Sequence, residues 1–393
     1  MTAAGASGAA GERHAALVSA LEAAEVAPAT VLEAFAEVPR HLFLPGVAPE
    51  EAYSDDAIVT AMEDGVPTSS SSQPSLMARM LAMLDLRSGQ RVLEVGAGTG
   101  YNAALMAALG ARVTTVELQP AVAAAAREHL AGAGLAAAVD VVTGDGAEPP
   151  PGPFDRIIVT AGLWALPPAL VAALAGDGLL VAPLRINGVE LVMALRKQDA
   201  ALSAAGGLPC GFMPLQGTEE RPWRWALGGG GSATADADLG VEGRGALDRL
   251  LASDGREAAD PLALRAGERV LEALLRLGLQ GDPLITLVRP REGGRRPRWT
   301  VALNVLPASL LVLDLGAAND SVATAMLYGG DGALRACAAA MAAWRAAGSP
   351  GPGALALSIE PHGGRSGWTL PYRDAGGVAT MVRGAHRWRL AYA

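Results

Sequence analysis

From Val92 to Gly100 the chain reads Val-Leu-Glu-Val-Gly-Ala-Gly-Thr-Gly, an apolar run, then an acid at Glu94 and glycines at Gly96, Gly98 and Gly100. Glycine has no Cβ to block a positive φ or the close approach of a ligand, so this spacing lets a chain turn sharply and press its backbone against a bound molecule. The run Tyr101–Leu109 that follows is helical in character. The glycines therefore stand where a strand feeds a helix, at the end of an α/β sheet where ligands bind. The loop is of the nucleotide-cofactor kind, with Ala97, Thr99, Tyr101 and Asn102 beside the glycines as further candidate contacts.

A second strand, Val113–Val116, ends in Glu117 and Leu118. An acid about twenty residues past the glycines can accept both hydroxyls of a ribose. A third strand, Val139–Val142, runs into Gly144-Asp145-Gly146, an acidic turn suited to an adenine edge, and a fourth, Arg156–Thr160, ends at Thr160. The dinucleotide spacing Gly-x-Gly-x-x-Gly is absent. With Glu94 two residues ahead of the first glycine, the series resembles the Rossmann-like S-adenosylmethionine-dependent methyltransferases, which implies methyl transfer with S-adenosylmethionine as methyl donor and S-adenosylhomocysteine as product.

The elements upstream narrow this. An amphipathic helix, Ala27–Glu37, leads to Val38-Pro39-Arg40, then Ala52-Tyr53-Ser54-Asp55, then a serine run, Ser69 to Ser72, with Gln73-Pro74 opening a helix Ser75–Leu84. Ser72 and Ser75 are good N-cap types, and a helix N-terminus offers free N–H groups to a carboxylate. In this ordered set the first 220 residues or so resemble the protein-L-isoaspartate O-methyltransferases, and the likeness runs on through Ile158-Val159-Thr160-Ala161 and Leu180-Val181-Ala182-Pro183 to Phe212-Met213-Pro214-Leu215-Gln216-Gly217. The resemblance implies that Glu94, Gly96, Gly98 and Gly100 line the methionine and ribose side of the cofactor, with Gln73 and Thr160 nearby. It further places Glu117 on the ribose hydroxyls, Asp145 and Gly146 on the adenine, and Ser70, Ser71 and Ser72 on the acceptor carboxylate.

Two features depart from the repair enzymes. Their short Pro-Leu-Pro-Ile-Gly segment is replaced by the longer Ile58–Pro67, and the chain continues well past their usual end. Both features resemble a bacterial branch of the family associated with ribosomally made, modified peptides such as lanthipeptides and graspetides. The segment Asp55–Thr60, the serine run and a late helix, Gly332–Ala347 with Trp344, share that likeness. It implies methylation of an ordinary aspartate in a modified precursor peptide, followed by cyclisation to an aspartimide and, on hydrolysis, isoaspartate. A repair methyltransferase of damaged proteins is the alternative. A small-molecule methyltransferase and a non-catalytic chaperone of a precursor peptide fit the motifs less well.

The expected architecture is α/β, a Rossmann-like methyltransferase sheet followed by a smaller, mostly antiparallel α+β domain. Residues 1–12 read as disordered, 13–228 as the catalytic domain and 235–393 as a domain for peptide recognition, joined by a flexible linker at Gly228-Gly229-Gly230-Gly231-Ser232. Deleting everything after Gly228 is then expected to spare cofactor binding. In the tail, helices at Ala246–Ala252, Pro261–Leu277 and Gly332–Ala347 accompany strands at Leu284–Val288, Trp299–Leu306, Ser309–Leu315, Ser321–Leu327, Ala354–Ile359, Val378–Arg383 and Arg387–Ala393. Trp223, Trp225 and Trp299 are candidate aromatic anchors there.

Composition limits the partners. A net charge of −9 argues against nucleic acid, whose phosphates need clustered Lys and Arg. The basic stretches Arg289–Arg298 and Arg383–Arg389 read as solvated charge or as a grip on an acidic peptide. No apolar run reaches the roughly 20 residues that span a bilayer, so no membrane partner is expected. Two cysteines and five scattered histidines give neither a disulfide framework nor a metal motif, which points to a cytoplasmic setting and no metal. The sequence leaves the oligomeric state open.

Overall fold

Five parallel strands form the heart of the molecule, in the spatial order Val139–Thr143, Arg112–Glu117, Arg91–Val95, Phe154–Val159, Leu174–Ile186. The chain runs outward from Arg91–Val95 in one direction and then crosses to its other side. That reversal opens a crevice at the carboxyl ends of the central strands. The computed structural model describes residues 3–63, 66–217, 223–266, 268–279, 284–288, 300–305, 308–315, 322–363, 367–369, 372–373 and 378–392. The basic stretch Arg289–Arg298 and Trp299 lie outside them. Among the described residues no helix is long and apolar enough to cross a membrane.

Helices Ala3–Ala23, Ala29–Glu37, Pro74–Leu84, Tyr101–Ala108 and Pro120–Gly132 supply apolar faces to a core that includes Phe35, Leu81, Leu105 and Leu130, packed with Val92, Val113 and Ile158 of the sheet. The first helix begins at Ala3, so most of the stretch expected to be disordered continues a helix whose Ala10, Leu17 and Leu21 are buried. Its alanines favour a helix while Gly5, Gly8 and Gly11 oppose it, so the packing of Ala10, Leu17 and Leu21 decides the outcome.

The second half departs from the expected division. Gly228–Gly231 is no linker: it turns the hairpin between Trp223–Ala226 and Ser232–Ala235, with Leu227 N–H donating to Gly231 O at 3.1 Å. Gly230 and Gly231 hold φ of +89° and +87°, which is why glycines stand there. The hairpin opens an antiparallel sheet of seven strands that continues through Leu284–Val288, Thr300–Val305, Ser309–Leu315, Val322–Gly329 and Arg256–Glu257. The last strands then leave it. Leu355–Pro361 pairs with Ala201–Ala205, and His386–Tyr392 and Ala379–Gly384 follow outward, extending the cofactor sheet to thirteen strands.

One apolar cluster accordingly runs from Leu93, Ile157 and Leu180 through Leu274 and Leu311 to Trp344 and Trp388. The tail is therefore not an appendage behind a linker, and truncation after Gly228 would strip the edge Ala201–Ala205 and open this core. Such a truncation is therefore expected to cost cofactor binding along with the fold. The strands expected in the tail are present within a residue or two, as is the helix Gly332–Ala346. The helix expected over Pro261–Leu277 is shorter, Val270–Gly278, because Asp260 and Ala263 take positive φ ahead of it.

Candidate active site

The crevice at the strand ends is a cleft of ≈ 900 Å³ whose lining includes Gly96, Ala97, Gly98, Thr99, Tyr101, Asn102, Glu117, Leu118, Gly146 and Thr160. Gly96 takes φ +96°, and a Cβ there would stand 2.6 Å from Thr160 Oγ1, which itself donates to Gly96 O at 2.8 Å. Gly98 takes φ +51° with Ser70 O 3.3 Å from where its Cβ would be. Gly100 is not part of the lining. Its φ of +85° starts the helix Tyr101–Ala108, and it packs on Ala126 and Leu130.

The acids divide by position. Glu117, 7% exposed, lies in the lining, where its Oε2 accepts Gly98 N–H at 3.0 Å and its Oε1 accepts Gln119 N–H at 3.1 Å. These bonds aim the carboxylate at the edge of the glycine turn. Glu94 lies elsewhere than expected, fully buried behind the loop, where it accepts Thr115 Oγ1–H at 2.6 Å and Asn102 Nδ2–H at 2.8 Å. It ties two strands and the helix start together rather than facing the cofactor.

Burial pushes the Glu94 carboxyl up to about 7, against the pull of Thr115 and Asn102 and with Glu117 adding to the rise. A carboxyl raised on folding stabilises fully below its ordinary value of 4.5, and that contribution is lost as pH climbs through about 7. Glu94→Gln is expected to flatten the decline in melting temperature across that window, removing a slope of up to about 1.4 kcal/mol per pH unit. Thermal melts at four pH values decide it. An unchanged slope would place the titration on another group.

Asp145 is likewise absent from the lining. Its Oδ1 accepts Ala147 N–H at 2.9 Å, and its carboxylate lies so close to Gly217 that a Cβ there would sit 2.4 Å from Oδ2. Asp145 thus holds a turn, and Gly146 alone of the pair reaches the cleft, pressed on Val95.

On the opposite side most of the serine run lies in a strand. Val66–Ser71 is a strand paired with Ile58–Glu63, and the hairpin covers the glycine turn. Arg40, with no exposed surface, fastens it: the guanidinium donates to Ala52 O, Ser54 O and Asp56 O at 3.0–3.1 Å, to Ser72 O at 3.0 Å and to Ser71 Oγ at 3.3 Å. Burial lowers the Arg40 pKa, and Tyr101, Asp55 and Asp56 oppose the change. Ser71 is therefore occupied structurally, and Ser69 Oγ takes Thr60 Oγ1–H at 3.2 Å. Ser70 and Ser72 line the cleft with hydroxyls that make no protein bond among the described residues. No serine caps the following helix, whose N-cap is Gln73. Asp55 does so from outside, accepting Ser75 N–H at 2.8 Å and Gln73 Nε2–H at 3.0 Å.

Several lining residues carried no local signal. Gln119 binds Thr68 O through Nε2 at 3.1 Å and so joins the hairpin to the strand end of Glu117. Arg185 and Glu190 come from strands after the cofactor motifs, and the segment Leu208–Gln216 forms the far wall. Pro214 pairs with Gly162 there, and Phe212 N–H donates to Glu190 Oε1 at 2.7 Å.

The donor set fits S-adenosylmethionine. A cradle at Gly96 and Gly98 that any Cβ would obstruct, and a fixed carboxylate at Glu117, are what a nucleoside with a short amino-acid arm requires. When bound, that cofactor supplies a methyl group on a sulfonium.

Comparison with known proteins agrees. The family model for Protein-L-isoaspartate(D-aspartate) O-methyltransferase matches residues 12–220. A protein-L-isoaspartate O-methyltransferase of Methanoculleus marisnigri is 39% identical over 192 residues, 48% of this chain and 83% of that one. One from Methylorubrum populi is 38% identical over 200 residues, 51% of this chain and 92% of that one. A solved structure titled protein-L-isoaspartate O-methyltransferase shares the fold with TM-score 0.51 at 23% identity, over 88% of this chain and 96% of that one, so the likeness of fold extends into the tail. The chain belongs to the protein-L-isoaspartate(D-aspartate) O-methyltransferase family, as an S-adenosylmethionine-dependent carboxyl O-methyltransferase acting on protein or peptide.

Proposed function

We propose that the enzyme methylates the side-chain carboxylate of an ordinary aspartate in a modified ribosomal precursor peptide. The observation that carries this reading is the hairpin Ile58–Ser71. It stands over the acceptor side of the cleft and leaves Val59 and Met62 43% and 61% exposed, an apolar lip for a peptide longer than one damaged residue and its neighbours. The far wall, Leu208–Gln216, offers the rest of such a peptide a surface.

The chemistry asks little of the protein. An aspartate with an ordinary pKa near 3.9 is ionised at neutral pH, so no general base is needed. Bound S-adenosylmethionine would supply its methyl group to a carboxylate oxygen, the electron pair of the broken bond staying on sulfur, with no proton to be moved. What the chain supplies is orientation and exclusion of water, which in favourable cases contribute up to roughly 7–11 kcal/mol. Gly96, Gly98, Thr160 and Gln73 hold the methionine side, Glu117 the ribose and Gly146 the adenine. Ser72, with Ser70, donates to the acceptor carboxylate. Afterwards the next backbone nitrogen attacks the ester carbonyl, methanol leaves and a succinimide closes, most readily beside a small residue.

Ser72→Ala is expected to lower kcat/KM roughly tenfold, the worth of one hydrogen bond to a charged group, with cofactor affinity unchanged. Steady-state rates alongside calorimetry with S-adenosylhomocysteine test this. An unchanged rate removes Ser72 from the acceptor site.

A second reading has its own support. The relatives matched here are named for isoaspartate, and a solved structure of that title shares fold with part of this tail. Mass spectrometry of the enzyme with S-adenosylmethionine decides between them. Gain of one methylene, or loss of one water, on the precursor peptide alone supports the first reading. Methylation of an isoaspartyl peptide alone makes this a repair enzyme.

A further inference from the structure

Arg185 and Glu190 face each other in register across the antiparallel strands Leu174–Ile186 and Val189–Gln198. Opposite charges so placed share a face with Cβ atoms about 5 Å apart and ordinarily pair. These two do not: among the described residues no contact within 4.0 Å joins them, and each is drawn away by other partners. Arg185 donates through Nε to Asp236 Oδ1 at 3.0 Å and through Nη2 to Thr286 Oγ1 at 2.6 Å. Glu190 accepts through Oε1 from Phe212 N–H at 2.7 Å and from Cys210 Sγ at 3.6 Å.

Two atoms are left over, Arg185 Nη1 and Glu190 Oε2. Neither has a hydrogen-bond partner among the described residues, and neither is sealed from solvent, although the residues are only 9% and 7% exposed and both line the cleft. The cleft lining thus carries a donor on Arg185, whose guanidinium lies over the Trp164 ring, and an acceptor on Glu190, whose Oε2 lies against Gly162. A carboxylate between them would meet Glu190 and an ammonium would meet Arg185. A trans peptide group, whose C=O and N–H point in opposite directions, satisfies both.

We propose that Arg185 and Glu190 bracket one main-chain peptide group of the acceptor, Arg185 Nη1–H donating to its carbonyl and Glu190 Oε2 accepting its N–H. The inference rests on the acceptor being a peptide bound in this cleft, as read above. It makes the pair specificity-determining rather than catalytic, and it gives the tail a direct part in substrate reading, since Asp236 and Thr286 set the angle of Arg185.

The test uses aspartyl and isoaspartyl hexapeptides in which each main-chain amide flanking the acceptor residue is replaced in turn by an ester, removing one N–H at a time. With the wild-type enzyme, one replacement is expected to raise KM roughly tenfold or more, with kcat little changed. In Glu190→Gln the penalty should vanish, because glutamine keeps its oxygen for Phe212 N–H and turns an amino group into the cleft. Arg185→Met should raise KM for amide and ester alike. Calorimetry with S-adenosylhomocysteine checks that the variants retain cofactor affinity. A wild-type enzyme with no preference for amide over ester at any position overturns the bracket, as does a penalty that survives in Glu190→Gln. Which of the two acceptor residues is methylated is a separate result and bears only on the acceptor reading.

Discussion

Asp236→Ala is expected to destabilise the protein by about 3–5 kcal/mol, the cost of leaving buried charge without its partner. The Asp236 side chain has no exposed surface and stands between two arginines, with Arg185 Nε at 3.0 Å from Oδ1 and Arg383 Nη2 at 3.4 Å from Oδ2. Arg383 also donates to Asp236 O at 3.2 Å and to Thr369 O at 3.0 Å. Burial pulls the Arg383 pKa down, with Arg185 adding to the fall, and Asp236 is what opposes it. Removing the carboxylate leaves two cations beside each other in a site that water barely reaches. The three groups come from the cofactor sheet, the seven-stranded sheet and the final strands, so the loss loosens the joint between all of them. Urea denaturation should show the midpoint falling together by fluorescence and circular dichroism. Asp236→Asn, which keeps an acceptor but no charge, should fall between. A midpoint shift worth less than about 1 kcal/mol would mean that the arginines find other partners or water.

Gly98→Val is expected to weaken S-adenosylhomocysteine binding by roughly 100-fold or more while the protein still folds. A β-branched residue at φ +51° is strained, and its Cβ would meet Ser70 O of the hairpin at 3.3 Å. To relieve either, the turn must move, and Gly98 N–H then leaves Glu117 Oε2, its partner at 3.0 Å. Strain and obstruction are separable. Gly89 holds φ +83° with nothing within 4 Å of a Cβ, so Gly89→Val imposes backbone strain without touching the cleft. Calorimetry should find cofactor affinity lost in the first variant and kept in the second. Equal affinities in both would show that the glycine turn is not the cofactor cradle.

The outline of the cofactor half was legible because its signals are local. An alternating or apolar run of five or six residues, ended by an acid or glycines, gives a strand and its ligand-facing end from adjacent positions alone. Glu117 and the glycines at 96 and 98 were read that way, and the structure places them together in the cleft. Glu94 and Asp145 fit the same pattern, yet neither lies in the lining of the cleft. Residue type cannot say whether a carboxylate at a strand end faces the ligand or turns back to hold the loop, because that depends on which neighbouring donors reach it: Thr115 and Asn102 for Glu94, Ala147 for Asp145. The serine run differs. Its composition carries no strand signal, but pairing with Ile58–Glu63 makes a strand of it, and Arg40 fastens its end from a position far away in sequence.

By itself the sequence determined the class of fold, the glycine turn, the acid that ends the second strand and seven of the tail's strands with one late helix, since all of these follow from spacing within a few residues. Only the tertiary structure decided where those strands go. The glycines at 228–231 are equally good for a linker or a hairpin, and the pairing of Trp223–Ala226 with Ser232–Ala235 chose the hairpin. The last strands could have closed the seven-stranded sheet, but the apolar faces of Leu357 and Trp388 complete the core of the cofactor sheet instead. Strand pairing between distant segments is set by which faces can be buried together and which edges still need hydrogen bonds, and neither leaves a mark in the local sequence. Arg185 and Glu190, by contrast, face each other across the tight Asn187-Gly188 turn, a hairpin written in adjacent residues.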